Sequence, residues 1–170
     1  MYVYHFVPKG MKGSTLYPLN KLKEVYPDVF GKQSKKYEGR EKVKDTEIPN
    51  LGTWNDVIHL SPIDPSEVRQ ALRDAGEPPS TDWSVFCIDV DLLDTHKLII
   101  HVEFGVNKGG PVINLPFTEE NYAQHCHLPD RTKLYYRRCA EAGRQVLMYG
   151  FAPHVLYGGT IDVSEIEIRE

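Results

Sequence analysis

His59 and Ser61 stand either side of Leu60 in the stretch of residues 54–76, WNDVIHLSPIDPSEVRQALRDAG, so on a strand they share one face. An imidazole exchanges protons near neutral pH, and beside it Asn55 and Asp56 bring an amide and a carboxylate to the strand start. Ser61 is no acyl nucleophile. Pro62 follows it, and without an amide hydrogen the next residue cannot supply an oxyanion donor. The same missing amide predicts a strand end left open rather than paired, with Leu60 turned to the core and a ligand admitted beside His59 and Ser61. Two further histidines sit on expected strands, His5 near the exit of the first and His154 near the end of the chain. His5 reaches the same opening only if the first and central strands are neighbours.

The elements that must hold these groups are marked by period and punctuation. Val57, Ile58 and Leu60 read as a strand that Ser61-Pro62 ends. Asp64 then caps a helix whose first position is Pro65, with Glu67 in an acidic first turn, an apolar face of Val68, Ala71, Leu72 and Ala75, and Gly76 as the stop. Ahead of this unit, residues 2–7 read as a strand and residues 10–18 as a loop. Tyr17 lies at the mouth of a short helix (Leu19, Leu22, Val25) that Pro27 ends. Behind it come strands at residues 83–89 and 98–102, a glycine-rich loop at 105–110, a short helix opened by Thr118, and a longer one from Asp130 to Ala142 stopped by Gly143. Further strands follow at 145–149, 154–157, 160–163 and 165–169. This predicts one α+β domain over residues 1–170. Its central sheet, mixed or mainly antiparallel, takes in residues 2–7, 56–60, 83–89 and 145–149, with helix 65–75 packed on it.

At 170 residues and 41% hydrophobic content the chain suits one sizeable core. A formal charge of -4 argues against a nucleic-acid binder that uses its whole surface. Charge is concentrated in the segment 32–44, where Lys32, Lys35, Lys36, Arg40, Lys42 and Lys44 meet only Glu38 and Glu41. It reads either as a solvated helix bent at Gly39 or as an arm for phosphates, with Tyr37 and Arg40 as a stacking and bidentate pair. Cys87, Cys126 and Cys139 form no disulfide framework and suit a reducing compartment, and no long apolar run appears, so a cytoplasmic location without a membrane is expected. His125-Cys126-His127 lacks further ligands at a metal spacing, so no metal is expected. The loop at 105–110 matches neither the Walker phosphate loop nor the dinucleotide fingerprint.

The order of parts carries a resemblance. A Tyr-His-Phe strand and helix, a His-Leu-Ser strand end and helix, a strand ending in Ile88-Asp89-Val90-Asp91, and a late β run over 155–163 resemble the ADP-ribosyltransferase-like superfamily. The nearest branches are the RNA 2'-phosphotransferases and the DNA ADP-ribosylating toxins. The resemblance implies NAD as substrate, with His5 on the ribose or nicotinamide end and His59 or Ser61 brought to the same cleft. In the enzyme reading Tyr17 or Tyr37 stacks on a base or nicotinamide and Arg40 or Arg144 holds the diphosphate, while Asn55 and His154 are candidates from their place on the strands alone. The chain departs from the toxin pattern because Glu165 and Glu167 follow no Gln-x-Glu or Glu-x-Glu turn. It departs from the phosphotransferase pattern because only Arg40, Arg69 and Arg144 are arguable counterparts of its arginines. The Tyr-His-Phe-Val-Pro start and Trp-Asn-Asp-Val centre also resemble a family of small bacterial proteins, which implies no activity. Three readings follow: a nucleotide-binding transferase acting on a nucleic acid or protein, a non-catalytic nucleotide or phospho-ligand module, and an interaction domain docking through segment 32–44.

Overall fold

Aromatic and β-branched residues make Tyr2–Phe6 a strand, β1, with Val3 fully buried and Tyr2 exposed. The computed structural model describes residues 1–39, 41–77, 83–104 and 110–170. After β1 come β2 (Thr15–Leu16), α1 (Leu19–Val25), α2 (Pro27–Gln33), 3₁₀ turns at Ser34–Tyr37 and Glu41–Asp45, β3 (Glu47–Ile48), β4 (Gly52–Thr53), β5 (Ile58–Leu60) and α3 (Pro65–Asp74). The second half holds β6 (Val85–Asp89), β7 (Leu98–Glu103), β8 (Val112–Pro116), α4 (Glu119–His125), α5 (Asp130–Glu141), β9 (His154–Tyr157), β10 (Ile161–Asp162) and β11 (Glu167–Arg169). The class is α+β. No helix among the described residues is long and apolar enough to cross a membrane.

β1, β6 and β11 form one antiparallel sheet, in the order β1-β6-β11, and β5-β9-β7-β8 form another. One bridge joins them: Tyr4 N donates to Ser61 O and Ser61 N to Tyr4 O, both at 2.8 Å. The strands expected at residues 2–7, 56–60 and 83–89 therefore lie side by side. The strand expected at 145–149 does not form, and β9 takes its place beside β5. The reason lies in α5, whose tyrosines satisfy that backbone in place of a ladder: Leu147 N donates to the Tyr135 hydroxyl, and the Tyr136 hydroxyl donates to Met148 O. Four strands escaped the sequence: β2 inside the expected loop, the β3–β4 hairpin, and β8, which pairs with β7 from Ile99 to Glu103.

The central helix forms much as its residues dictate. Asp64 Oδ1 accepts from Ser66 N at 2.8 Å, Pro65 opens the first turn, and Gly76 leaves it at φ 82°. Glu67 closes no capping box. Its carboxylate accepts instead from Leu128 N at 3.0 Å, tying α3 to the approach to α5. Val68 and Leu72 bury their side chains against Ile63, Trp83, Val85 and Tyr136, each worth about 1.5–3 kcal/mol. Asp64 also accepts from the Tyr4 hydroxyl at 3.2 Å, so Asp64→Ala should cost about 1–2 kcal/mol in urea unfolding. A loss indistinguishable from zero would show that the cap is idle.

Segment 32–44 is not the bent helix expected from its charges. α2 ends at Gln33, a 3₁₀ turn carries Tyr37 into an apolar cluster with Leu19, Leu22 and Val29, and Gly39 turns the chain at φ 74°. Burial of the tyrosine ring outweighs continuation of a solvated helix.

Candidate active site

Cross-strand register assembles the site. His101 on β7 pairs with His154 on β9 and with Asn114 on β8, and the β5–β9 register, continued one residue beyond Leu60 and Val155, brings Ser61 opposite His154. Side chains paired in this way rise from one face, and His59, two residues from Ser61, rises from it too. On the opposite face Leu60, Ile100 and Val155 join the main core.

Trp54 lies across the histidines. Its ring centroid is 4.3 Å from that of His59, 5.2 Å from His101 and 6.4 Å from His154, while His59 and His154 stand 6.4 Å apart and nearly perpendicular. Local turns put it there: Trp54 N donates to Thr46 O at 2.9 Å, and Asp56 accepts from Thr53 N at 2.8 Å. A Cβ at Gly52, already at φ 98°, would meet the Asp56 carboxylate at 2.8 Å, so that turn needs its glycine.

Each imidazole is oriented by an oxygen that can only accept. His59 Nε2 donates to Trp54 O at 2.9 Å, His154 Nδ1 to Ala152 O at 3.0 Å, and His101 Nδ1 to Asn114 Oδ1 at 2.9 Å. In His101 and His154 the basic nitrogen is therefore Nε2. Burial, reinforced by the neighbouring His101, pushes His154 down to about 4 from its ordinary 6.5. At neutral pH it is an uncharged base.

The expected residues divide between places. His59 and His154 come together, and with them His101 and Trp54, which the sequence reading did not single out. The signal for His101 was a lone polar residue alternating within Leu-Ile-Ile-His-Val. Ser61 lies in the row but is 5% exposed, its Oγ bound to Ile63 N and Ile63 O in a local turn. The strand end expected to stand open is closed, because Ser61 pairs through both backbone groups with Tyr4. Beside it, burial pushes the Tyr149 hydroxyl up to about 12.

His5 projects from the other side of β1, one residue out of step with Tyr4. It lines a cavity of about 60 Å³ with Tyr17, Leu22, Tyr26 and Gln33. The two places adjoin, since Tyr17, Leu22 and Tyr26 pack with Trp54 in one apolar cluster that also holds the Tyr37 ring, 7% exposed. Asn55 is buried beside Trp54 with its Oδ1 unpartnered among the described residues. Arg144 is exposed at the exit of α5, Arg69 stacks on Trp83, and Arg40 lies outside the described residues. Glu167 is four strands from β9, about 19 Å at the usual spacing, and accepts from Arg169 Nε at 3.3 Å. Among the described residues no three His, Cys, Asp or Glu side chains are grouped to hold a metal ion. Comparison with protein-family models, with curated proteins and with solved structures finds no match.

Proposed function

We propose that the protein is a metal-independent enzyme that binds an NAD-like nucleotide between the His5 cavity and the Trp54-covered histidines, and transfers ADP-ribose or processes a phosphate on an acceptor. The observation that carries this is the convergence of His59, His101 and His154 about one indole, with His154 held neutral. His154 Nε2 takes the proton of the attacking hydroxyl or water and gives that same proton to the leaving group, with the His59 ring standing 6.4 Å away. Trp54 and Tyr17 offer aromatic surface to a base or nicotinamide. The distance of Glu167 from the cluster favours the phosphate-processing branch, because ADP-ribosyl transfer of the toxin type relies on a late glutamate. The product decides. With NAD labelled in its adenylate and RNA and protein acceptors labelled in their phosphates, adenylate label gained by the acceptor marks ADP-ribosyl transfer, and phosphate label lost from the acceptor marks phosphate processing. Binding without either product would leave the non-catalytic module, a reading favoured by the way Trp54 already packs over the rings.

The acceptor reading extends to segment 32–44, where Lys32 is exposed in the last turn of α2 and Lys35 and Lys42 on the turns that follow it. If a nucleic acid docks there, changing all three to alanine should flatten the salt dependence of its binding by about 0.9 in log–log slope for each phosphate contact removed. An unchanged slope in a filter-binding titration would return these lysines to solvated surface, and the segment to a protein-docking role.

A further inference from the structure

We propose that a second site, a cleft of about 340 Å³ between the end of β7, the turn joining α4 to α5, and Pro153, binds the phosphate of a nucleoside monophosphate through Arg131. Phe104, Gln124, His125, His127 and Pro153 line it with that arginine. Arg131 is half-buried and oriented from two sides: Nε donates to Phe151 O at 3.0 Å, and the guanidinium carbon lies 5.5 Å above the Phe104 ring. This fixes its plane and leaves the two terminal amino groups as donors, the fork that phosphate oxygens accept in pairs. No carboxylate among the described residues lies within ion-pair distance of it. Asp130, at the cleft rim, turns to Lys133 Nζ at 3.6 Å, and Glu67 is taken up by Leu128 N and by His127 Nδ1 at 3.5 Å. Glu103 acts on Arg131 only through space.

A partly desolvated guanidinium without its anion is costly, and a bound dianion is the partner that removes the cost. Phe104, Pro153 and Leu128 give an apolar floor on which the attached sugar and base can lie. The site does not depend on catalysis at the histidine cluster, though Pro153 places it one residue from His154.

Calorimetric titration at low salt with adenosine 5'-monophosphate, adenosine and inorganic phosphate tests it. The monophosphate should bind and adenosine should not; binding of inorganic phosphate as well would show that the anion alone suffices, and binding of inorganic phosphate without the monophosphate would make the free anion the ligand. Arg131→Gln should weaken binding at least about tenfold, the usual loss for a charged hydrogen bond. Because that change also removes the bond to Phe151 O, Gln124→Glu is the second arm. It sets a carboxylate at the rim from an exposed residue and should weaken binding severalfold by repulsion. Equal affinity in both variants, or adenosine binding as well as its monophosphate, would overturn the proposal. A protein that binds the monophosphate but turns over no nucleotide would remove the histidine chemistry and leave this site standing.

Discussion

His154→Gln should lower turnover by about 10²–10⁴-fold, the range lost with a positioned general base, while the thermal midpoint at pH 7.5 stays near that of the parent protein. The glutamine amide can still donate to Ala152 O, as the imidazole Nδ1 does at 3.0 Å, so the loop before β9 keeps its anchor. What it cannot do is accept a proton. KM should move little, because the lost interaction belongs to the transition state and not to ground-state binding. A kcat within about threefold of the parent would remove His154 from the chemistry. In the binding-module reading the same substitution would leave ligand affinity intact and reveal no turnover to lose.

The central unit was legible because its signals are local. Asp64, Pro65 and Gly76 each act on backbone within a few residues, and each does in the structure what its chemistry dictates. Residues 145–149 were misread for the opposite reason. Gln-Val-Leu-Met-Tyr has the composition of a strand, but whether it joins a sheet depends on Tyr135 and Tyr136, each twelve residues upstream of the backbone group it binds. β8 was hidden behind a proline and glycines that suggested only a loop, and it forms because β7 presents an unpaired edge to it.

The site was half legible. Alternation gave the shared face of His59 and Ser61, and that face exists. It could not say which strands would flank β5: of the partners sought for His59, His154 on β9 joins it and His5 on β1 does not, while His101 on β7 was not sought. Nor could it show that Ser61, with its turn to Ile63 and its bridge to Tyr4, is committed to structure. In the proposed function, chemistry at this corner therefore falls to imidazoles from three strands and not to the hydroxyl beside the first of them.

The same burial that makes His154 a base predicts acid sensitivity. Its folded pKa is about 4 against an ordinary 6.5, so the unfolded chain takes up a proton between those values that the folded chain refuses. Stability should be indifferent to this group above about pH 6.5, fall as the pH drops through the window, and reach its full loss, on the order of 3 kcal/mol, below about pH 4. Asp56 and Asp64 act lower, since their pKa values are held below 3.8 and their stabilisation is lost only as the pH passes beneath that. The two windows separate the causes. Urea unfolding at pH 7.5, 6.0, 5.0 and 4.5 should show the parent protein weakening from about pH 6.5 downward. His154→Gln carries no proton to refuse, so its stability should stay nearly flat to pH 5. If the variant weakens as steeply as the parent, the acid sensitivity belongs to another group, and His154 is not the neutral base that the proposed chemistry requires.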